Sequence, residues 1–312
     1  MAAKKQTGAL AYLACLAARV FILGVRVVPW RLCRATAGVI GRIAYALDGR
    51  HRRMALEAVA RSFPGKTAEE HLRIVHGCYR HLCLMVLDFA RLATLSRERV
   101  AAAWALSDEQ QEFFEDLQER GEGAIFVTGH VGLWEMCGLG STARGFPLHS
   151  IGRPLDNDYL NALVNRIRGR FGQKVLAKRG ALRSALRALK NGESVGMLLD
   201  QNAGKHGLFV PLFGRLASTL PTGAELALRS GARIACATTW RDEERGVHRL
   251  RLEKVIDPGK WEGPRDERYR AEVKRITAEY TREIENAVRE HPEQWLWLHR
   301  RWKTRPPEEQ QD

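Results

Sequence analysis

The sequence predicts an α/β fold in which a mostly parallel central sheet is flanked by helices, with membrane-associated helices at the N-terminus. Short apolar runs alternate with longer amphipathic segments along most of the chain, which is the pattern of a parallel sheet with helical crossovers. A separate apolar segment precedes this alternation. We therefore expect three parts: N-terminal membrane-anchoring helices at residues 1–50, the main α/β domain at residues 51–306, and a polar tail at residues 307–312.

The first element is an apolar segment at residues 8–30, interrupted by Arg19 and Arg26. These arginines share a helical face, and a lone transmembrane span would hold Arg19 near the middle of the bilayer at high cost. A helix lying in the membrane interface with its apolar face inserted fits better. Pro29 ends this helix, and residues 31–47 predict a second amphipathic helix. A buried amphipathic hairpin in a soluble protein is the alternative.

The remaining elements follow from the periodicity of apolar residues. The predicted helices are residues 57–63, 68–95, about 132–144, 157–171, 180–190, 222–231 and 265–289. The predicted strands are residues 124–127, 149–153, 175–177, 194–199, 234–240 and 248–255.

The charge balance limits the classes of partner. The chain has 50 Lys and Arg against 36 Asp and Glu, a net charge of +14. This excess favours a polyanionic partner, namely nucleic acid, an anionic membrane surface or a phosphorylated substrate. The basic residues that flank the N-terminal helices, including Lys4 and Lys5, favour the cytoplasmic side of a membrane. Six scattered cysteines without a C-x-x-C pair predict reduced thiols rather than disulfides or a zinc site.

A histidine and a glutamate follow the strand at residues 124–127. His130 and Glu135 are five apart, about 140° around a continuous helix, so one helix would not bring them together. If the strand ends at Thr128 and a helix begins near Gly132, His130 lies in the turn and Glu135 in the first helical turn, where they can meet. This predicts a general base and its partner at the end of a strand, where α/β folds usually bind ligands. A capped helix with a surface histidine is the alternative.

Other polar residues end neighbouring strands. Asp200 and Gln201 follow the strand at residues 194–199, and Arg153 ends the strand at residues 149–153. A parallel sheet places all three at the same edge as His130, which makes them candidate substrate-binding residues; the arginine suits a phosphate or carboxylate. An ordinary turn or cap remains open for the Asp-Gln pair.

Three further segments have more than one interpretation. Residues 192–196 match the G-x-S-x-G pattern of serine hydrolases, but a helix precedes Ser194 and a strand follows it, the reverse of a nucleophile elbow. The apolar loop at residues 202–222 is either a channel for an acyl chain or a packed cover of the sheet. Residues 294–306 interleave Trp and Arg, which suits nucleic acid bases, a membrane interface or a solvated basic face.

Four motifs in order resemble the bacterial lipid A late acyltransferases, the lauroyl/myristoyl transferase family of the glycerolipid acyltransferase superfamily. They are TGHVGLWE at residues 128–135, GRPLD at 152–156, LLDQN at 198–202 with FVPLFG at 209–214, and WLHRRWKTRP at 297–306. The resemblance covers nearly the whole chain. Its H-x4-[DE] motif matches His130 and Glu135, whereas Val131 and Leu133 stand where family members often have Phe and Asn.

The resemblance implies an O-acyltransferase at the cytoplasmic face of the bacterial inner membrane. Such enzymes move a fatty acyl chain from an acyl carrier protein or coenzyme A thioester to a hydroxyl of a lipid A precursor, with no metal or redox cofactor. His130 would act as general base and Glu135 would orient its imidazole. The basic surface would then meet an anionic glycolipid and an acidic carrier, and no nucleic acid partner is expected.

Two other functions remain open at this point. The nearest is an acyltransferase of the same family that acts on another glycolipid, such as a phosphatidylinositol mannoside. The more remote is a non-catalytic, basic, membrane-associated protein that binds nucleic acid. The weakest alternative is a serine esterase with Ser194 as nucleophile, which predicts that a fluorophosphonate probe labels the protein.

Overall fold

The computed structural model of the protein describes residues 6–177 and 180–307. The predicted polar tail, apart from Pro307, lies outside the described residues, as do Lys4 and Lys5.

Helices and strands alternate through the main domain. The helices are α1 Ala9–Val27, α2 Trp30–Leu47, α3 Gly49–Ser62, α4 Ala68–Leu92, α5 Arg97–Ala103, α6 Asp108–Glu119, α7 Glu135–Ala143, α8 Asp158–Arg168, α9 Ala181–Lys190, α10 Thr222–Ser230 and α11 Glu267–Glu290. The strands are β1 Trp104–Ala105, β2 Ile125–Thr128, β3 Leu148–Gly152, β4 Val175–Ala177, β5 Ser194–Leu198, β6 Leu208–Leu212, β7 Arg215–Thr219, β8 Ile234–Asp242 and β9 Val247–Ile256.

Polar side chains fix where several helices begin. Thr67 and Glu70 form a capping box at the start of α4, and Ser107 and Gln110 form another at the start of α6. The Asn157 side chain accepts two backbone N–H groups at the start of α8. Each cap satisfies donors that have no partner within the helix, so these starts are encoded locally.

The central sheet has seven strands in the order β1-β9-β8-β2-β5-β3-β4. Strand β2 is parallel to both β5 and β8, and β3 is parallel to β5 and β4, while β9 runs antiparallel to β8. The predicted α/β class with a mostly parallel sheet is therefore confirmed. The parallel strands end at one edge of the sheet, and this edge carries the site described below.

Buried side chains fill both faces of the sheet. On β2, Ile125 and Val127 join a core with Tyr280 and Ile284 of α11, whereas Phe126 joins a second core on the opposite face that contains residues of α6 and α7. Alternating side chains of a strand point to opposite faces, so a continuously apolar strand is what a doubly covered sheet requires.

The N-terminal helices have an exposed apolar face. Helices α1 and α2 pack on α4 through Val25, Cys33 and Ala37, while most of the other apolar side chains of α1 and α2 are exposed: Leu10, Leu13, Leu16, Val20, Leu23, Val27, Leu32, Val39, Ile40, Ile43 and Leu47. The alternative of a buried hairpin is wrong, because this face has no protein cover among the described residues. By length and composition, α1 is also long and apolar enough to cross a membrane.

The segment at residues 202–222 is an antiparallel hairpin, β6–β7, rather than an irregular loop. Val210, Leu212 and Ala217 are buried in it, and β6 packs on α11. The segment is therefore packed, as one of the two interpretations requires, but it packs on helix α11 rather than on the central sheet.

Candidate active site

His130 lies in the turn that follows β2. Its side chain is 16% exposed, and its Nδ1 lies 2.7 Å from Oδ1 of Asp200. The backbone N–H of His130 donates to the other carboxylate oxygen of Asp200, also at 2.7 Å. Parallel pairing of β2 with β5 matches Thr128 to Leu198, so the two residues follow neighbouring strands at the same edge. The other ring nitrogen, Nε2, faces the amide of Gln201 at 3.4 Å.

Asp200 is a buried carboxylate with three N–H groups around it. Besides the two from His130, the indole Nε1 of Trp295 donates to Oδ2 at 2.8 Å. Only 3% of the Asp200 side chain is exposed. Burial alone would raise its pKa, but the His130 and Trp295 groups hold the pKa of Asp200 well below its ordinary value. The carboxylate is therefore ionised and held in one orientation.

The same pair sets the protonation of His130. Burial disfavours the charged imidazole, but the Asp200 carboxylate outweighs burial and raises the pKa of His130 above its ordinary value, with a smaller contribution from Glu135. A carboxylate at Nδ1 also keeps the proton of the neutral ring on that nitrogen, which leaves Nε2 unprotonated. The ring is thus arranged to take a proton at Nε2.

The sequence predicts that Glu135 holds the imidazole of His130, but in the structure it does not. It begins α7 and makes a bidentate ion pair with Arg168 at the end of α8, with distances of 2.8 and 2.6 Å. A planar guanidinium matches both carboxylate oxygens at once, whereas His130 already has its hydrogen-bond partner in Asp200. The predicted contact between His130 and Glu135 is therefore wrong. His130 pairs with Asp200, and Glu135 pairs with Arg168.

The C-terminal segment holds the turn of His130 from behind. The backbone N–H of Gly132 donates to the carbonyl of Gln294 at 2.9 Å, and the N–H of Leu296 donates to the carbonyl of His130 at 3.1 Å. Gly132 has φ +57°, and a Cβ there would lie 1.9 Å from the carbonyl oxygen of Thr239. Only glycine fits this position, because both the backbone conformation and the space exclude a side chain.

A narrow cavity of about 80 Å³ opens beside the Glu135–Arg168 pair, and neither His130 nor Asp200 lines it. The Glu135–Arg168 pair and Trp134 are part of its wall, and the ring of Trp134 packs edge-on against the ring of His130 at 4.7 Å. The rest of its lining is mainly apolar or small and includes Phe126, Cys137, Gly138, Leu148, Gly152, Gly196 and Met197. This mainly apolar lining suits a hydrocarbon group rather than a polar ligand.

Comparison with known proteins assigns the chain to a family. The model of the bacterial lipid A biosynthesis acyltransferase family matches residues 1–304. The chain belongs to this family. It is 28% identical over 272 residues to the lipid A biosynthesis palmitoleoyltransferase of Escherichia coli K12, which covers 86% of this chain and 83% of that protein.

Two further acyltransferases from the same organism are similar over comparable lengths. The myristoyltransferase is 24% identical over 287 residues, covering 92% of this chain and 85% of its own. The lauroyltransferase is 26% identical over 271 residues, covering 86% and 84%. The predicted family and the predicted class of enzyme, an O-acyltransferase, are confirmed. The non-catalytic nucleic-acid-binding alternative is wrong.

The other predicted site residues of this acyltransferase have separate positions. The side-chain amide of Gln201 lies 3.4 Å from Nε2 of His130. Asp200 is buried behind the imidazole, where its carboxylate contacts His130 and Trp295. Arg153 stands at the end of β3, has 65% of its side chain exposed, and pairs with Asp156 at 2.7 Å and not with His130.

Two sequence alternatives are excluded by position. Ser194 begins β5, at the opposite edge of the sheet from His130, and its buried hydroxyl accepts the backbone N–H of Ala124 at 3.1 Å. It is therefore no hydrolase nucleophile. In the C-terminal segment, Trp295, Trp297 and Arg301 are each at most 3% exposed. The nucleic acid and membrane-interface interpretations of this segment are wrong for these three side chains.

The sequence analysis does not identify three residues of the site, namely Arg168, Gln294 and Trp295. Trp295 and Gln294 lie in the C-terminal motif, where the alternation of aromatic and basic residues drew attention to a surface role. Arg168 lies on the last turn of α8 among other arginines, and no local pattern distinguishes it. Each acts through a contact with a residue far away in the sequence, which local spacing does not reveal.

Proposed function

We propose that this acyltransferase moves a fatty acyl chain from an acyl carrier protein or coenzyme A thioester to a hydroxyl of a lipid A precursor, with His130 as general base. The observation that carries the proposal is the Asp200–His130 pair, which leaves Nε2 unprotonated at the edge of the sheet, next to the Gln201 amide. A hydroxyl is a weak nucleophile until a base removes its proton, and this ring is arranged to do so.

The reaction then proceeds in two steps. The acceptor hydroxyl attacks the thioester carbonyl as His130 takes its proton, giving a tetrahedral intermediate and an imidazolium beside ionised Asp200. The intermediate collapses with release of the thiolate, which receives the proton from His130. The acyl thioester is the co-substrate, and the proposal uses no other cofactor.

The start of α7 is the proposed site of oxyanion stabilisation. Helix α7 begins at Glu135, five residues after His130, and its N-terminal end carries partial positive charge. The N–H groups of Met136 and Cys137 already donate to the carbonyls of Leu133 and Trp134, so the proposed stabilisation comes from the helix dipole, typically about 0.3–1 kcal/mol. Glu135 itself holds Arg168 at the wall of the cavity in this proposal.

The acyl chain occupies the narrow cavity in this proposal. Gly138, Gly152 and Gly196 contribute no side-chain volume to the wall, so they define the space available to the chain. The exposed apolar face of α1 and α2 rests in the cytoplasmic leaflet of the bacterial inner membrane, and the net charge of +14 favours an anionic glycolipid and an acidic carrier. Arg153 and Gln201 contact the substrates.

The test is transfer activity of the His130→Ala variant. The purified full chain is incubated with acyl carrier thioesters and a lipid A precursor, and products are identified by mass. We expect the rate to fall about 10²- to 10⁴-fold, the usual contribution of a general base, while the variant remains folded. His51→Ala is the matched control, because His51 is exposed and pairs with Asp48 at the start of α3. Wild-type rates in His130→Ala would refute the proposal.

A further inference from the structure

A second cavity lies between the start of α2 and the loop joining β8 to β9. Its volume is about 350 Å³. We call it the arginine cavity, after its principal lining residues: Trp30, Asp88, Arg91, Arg99, Arg241 and His248. It is separate from the narrow cavity beside the Glu135–Arg168 pair, with which it shares no lining residue.

The arginine cavity contains a buried cation with unused hydrogen-bonding capacity. The Arg241 side chain is 3% exposed and is ion-paired with Asp88 through its Nη1. Its Nε has no hydrogen-bond partner among the described residues, and neither does the buried Nδ1 of His248. Buried polar atoms are usually paired, so the Nε–H of Arg241 is a donor that the described residues leave unsatisfied.

The other two arginines have no carboxylate partner in the described part of the chain. Arg91 lies over the ring of Trp30 at 5.0 Å, and Arg241 lies over the same ring at 5.0 Å. Arg99 is exposed at the cavity mouth. The nearby acid Glu243 is already occupied, because it pairs with both Arg34 and Arg80. The surrounding acids therefore do not neutralise Arg91 and Arg99.

The cavity is also at the boundary of the apolar face. Trp30 begins α2. On either side of it in the chain, Val27 is 78% exposed and Leu32 is 58% exposed. A tryptophan between an apolar surface and a cationic cavity is the arrangement found at the headgroup level of a bilayer. A ligand held here would have its charge in the cavity and its apolar part along α1 and α2.

We propose that the arginine cavity binds the phosphate monoester of a membrane lipid. Three guanidinium groups against the one carboxylate of Asp88 leave two positive charges. A phosphate monoester carries a charge of about −1.5 to −2 at pH 7, whereas a phosphodiester carries only one negative charge. Arginine matches phosphate oxygens through paired N–H groups. The proposal does not depend on acyl transfer.

The test measures lipid binding by calorimetry, with the full chain in a nonionic detergent. The probes are dihexanoyl phosphatidic acid, dihexanoyl phosphatidylcholine and glycerol 3-phosphate, which share a glycerol phosphate but differ in charge and in acyl chains. We expect phosphatidic acid to bind at least about tenfold more tightly than either other probe, because charge-assisted hydrogen bonds and chain burial both contribute. The Arg91→Gln/Arg99→Gln variant should lose this preference.

The matched control is Arg26→Gln/Arg31→Gln, which removes the same charge from exposed positions near Trp30 but outside the arginine cavity. It should keep the preference. Ala103→Glu places a carboxylate in the wall of the cavity without removing an arginine, and it should abolish the preference too. Thermal unfolding checks that each variant folds.

Three results would overturn the proposal. The first is equal binding of phosphatidic acid and phosphatidylcholine by the wild-type chain. The second is equal loss in the arginine variant and its control, which would indicate general surface charge. The third is glycerol 3-phosphate binding as tightly as phosphatidic acid, which would indicate a site for soluble phosphates and not for a lipid.

Discussion

Replacing Asp200 by Asn separates the charge of this residue from its shape. In the wild-type chain, Oδ2 accepts the His130 backbone N–H and the Trp295 indole N–H, while Oδ1 faces Nδ1 of His130. The amide oxygen of Asn can still accept the first two donors. Its NH₂ group must then face Nδ1, and it can donate only to an unprotonated nitrogen. The proton of the imidazole therefore moves to Nε2, where it blocks acceptance of the substrate proton.

The expected size of the effect follows from this change of tautomer. Substitutions that impose the wrong tautomer on a catalytic histidine reduce kcat about 10⁴-fold with little change in geometry. The stability cost is smaller: the three charge-assisted hydrogen bonds of Asp200 become neutral ones, at about 1 kcal/mol each. Asp200→Ala is less informative, because it leaves three buried or half-buried donors without a partner at about 1–3 kcal/mol each.

The assay compares initial rates of acyl transfer, scored by product mass, with the free energy of unfolding in urea. Asp242→Asn is the matched control, because Asp242 is also a buried carboxylate and pairs with Arg245 and Arg249, away from His130. It should lose stability but keep kcat. A rate for Asp200→Asn within tenfold of wild type would refute the reasoning about the tautomer.

The pH dependence gives an independent reading of the same pair. Only the neutral imidazole accepts a proton, so wild-type activity should fall as pH falls through a pKa above the ordinary value of about 6.5. Without the carboxylate, burial dominates, and the inflection should move to lower pH. For stability the sign is opposite: a raised histidine pKa stabilises the fold below its unfolded pKa, and this contribution is lost as pH rises through the folded value.

Three other substitutions test separate parts of the site. Glu135→Gln should shift the pH inflection less than Asp200→Asn, because its main partner is Arg168; unfolding should show a loss of about 1–3 kcal/mol from the unpaired guanidinium. Gly132→Ala should lower the melting temperature more than Gly145→Ala, because both have positive φ but only Gly132 meets a backbone carbonyl. Gly152→Val should shift donor preference toward shorter acyl chains, since Gly152 lines the narrow cavity and a Cβ there makes ordinary contact with Val175; competing thioesters of different lengths measure this, and unchanged preference would contradict it.

The sheet and the edge that carries the site were predictable because each strand is a short apolar run. The strands predicted at residues 124–127 and 194–199 are β2 and β5 within one residue at each end, and the predicted strand at residues 175–177 is β4. Parallel neighbours end at the same edge, so a polar residue just after each strand lies in the same place. This reasoning correctly put His130 and Asp200 together at one edge.

The choice of carboxylate was not predictable from spacing. The sequence argument predicts Glu135 as the partner of His130 and places Asp200 at the same edge only as a candidate substrate-binding residue. The deciding contacts are distant in the sequence. Arg168, 33 residues from Glu135, forms an ion pair with it, and Trp295, 95 residues from Asp200, donates a hydrogen bond to it. Competition between partners depends on the assembled fold, which a single spacing does not contain.

The β6–β7 hairpin escaped prediction because its turn has an unusual residue. Its two central residues, Phe213 and Gly214, have φ of 51° and 70°. A two-residue turn with both φ positive normally has Asn or Asp followed by Gly, and Phe rarely adopts this conformation. Phe213 is held there by burial against Trp295 and Trp297. Tertiary packing thus overrides the local preference, and the sequence signal for a hairpin is lost.

The composition of the C-terminal segment predicts a surface role, whereas its contacts in the structure are largely buried. Alternating Trp and Arg suggested a surface, yet Trp295 donates to the carboxylate behind His130, and the carbonyl of Gln294 holds Gly132 in the same turn. The turn that contains His130 therefore lacks these hydrogen bonds until residues 294–296 are in place. Removing the chain from residue 294 onward would leave the Asp200 carboxylate and the Gly132 N–H without these partners, at about 1–3 kcal/mol each. Residues 294–296 are accordingly part of the framework of the His130 turn, and Trp295 is buried where its indole N–H donates to the carboxylate behind the imidazole.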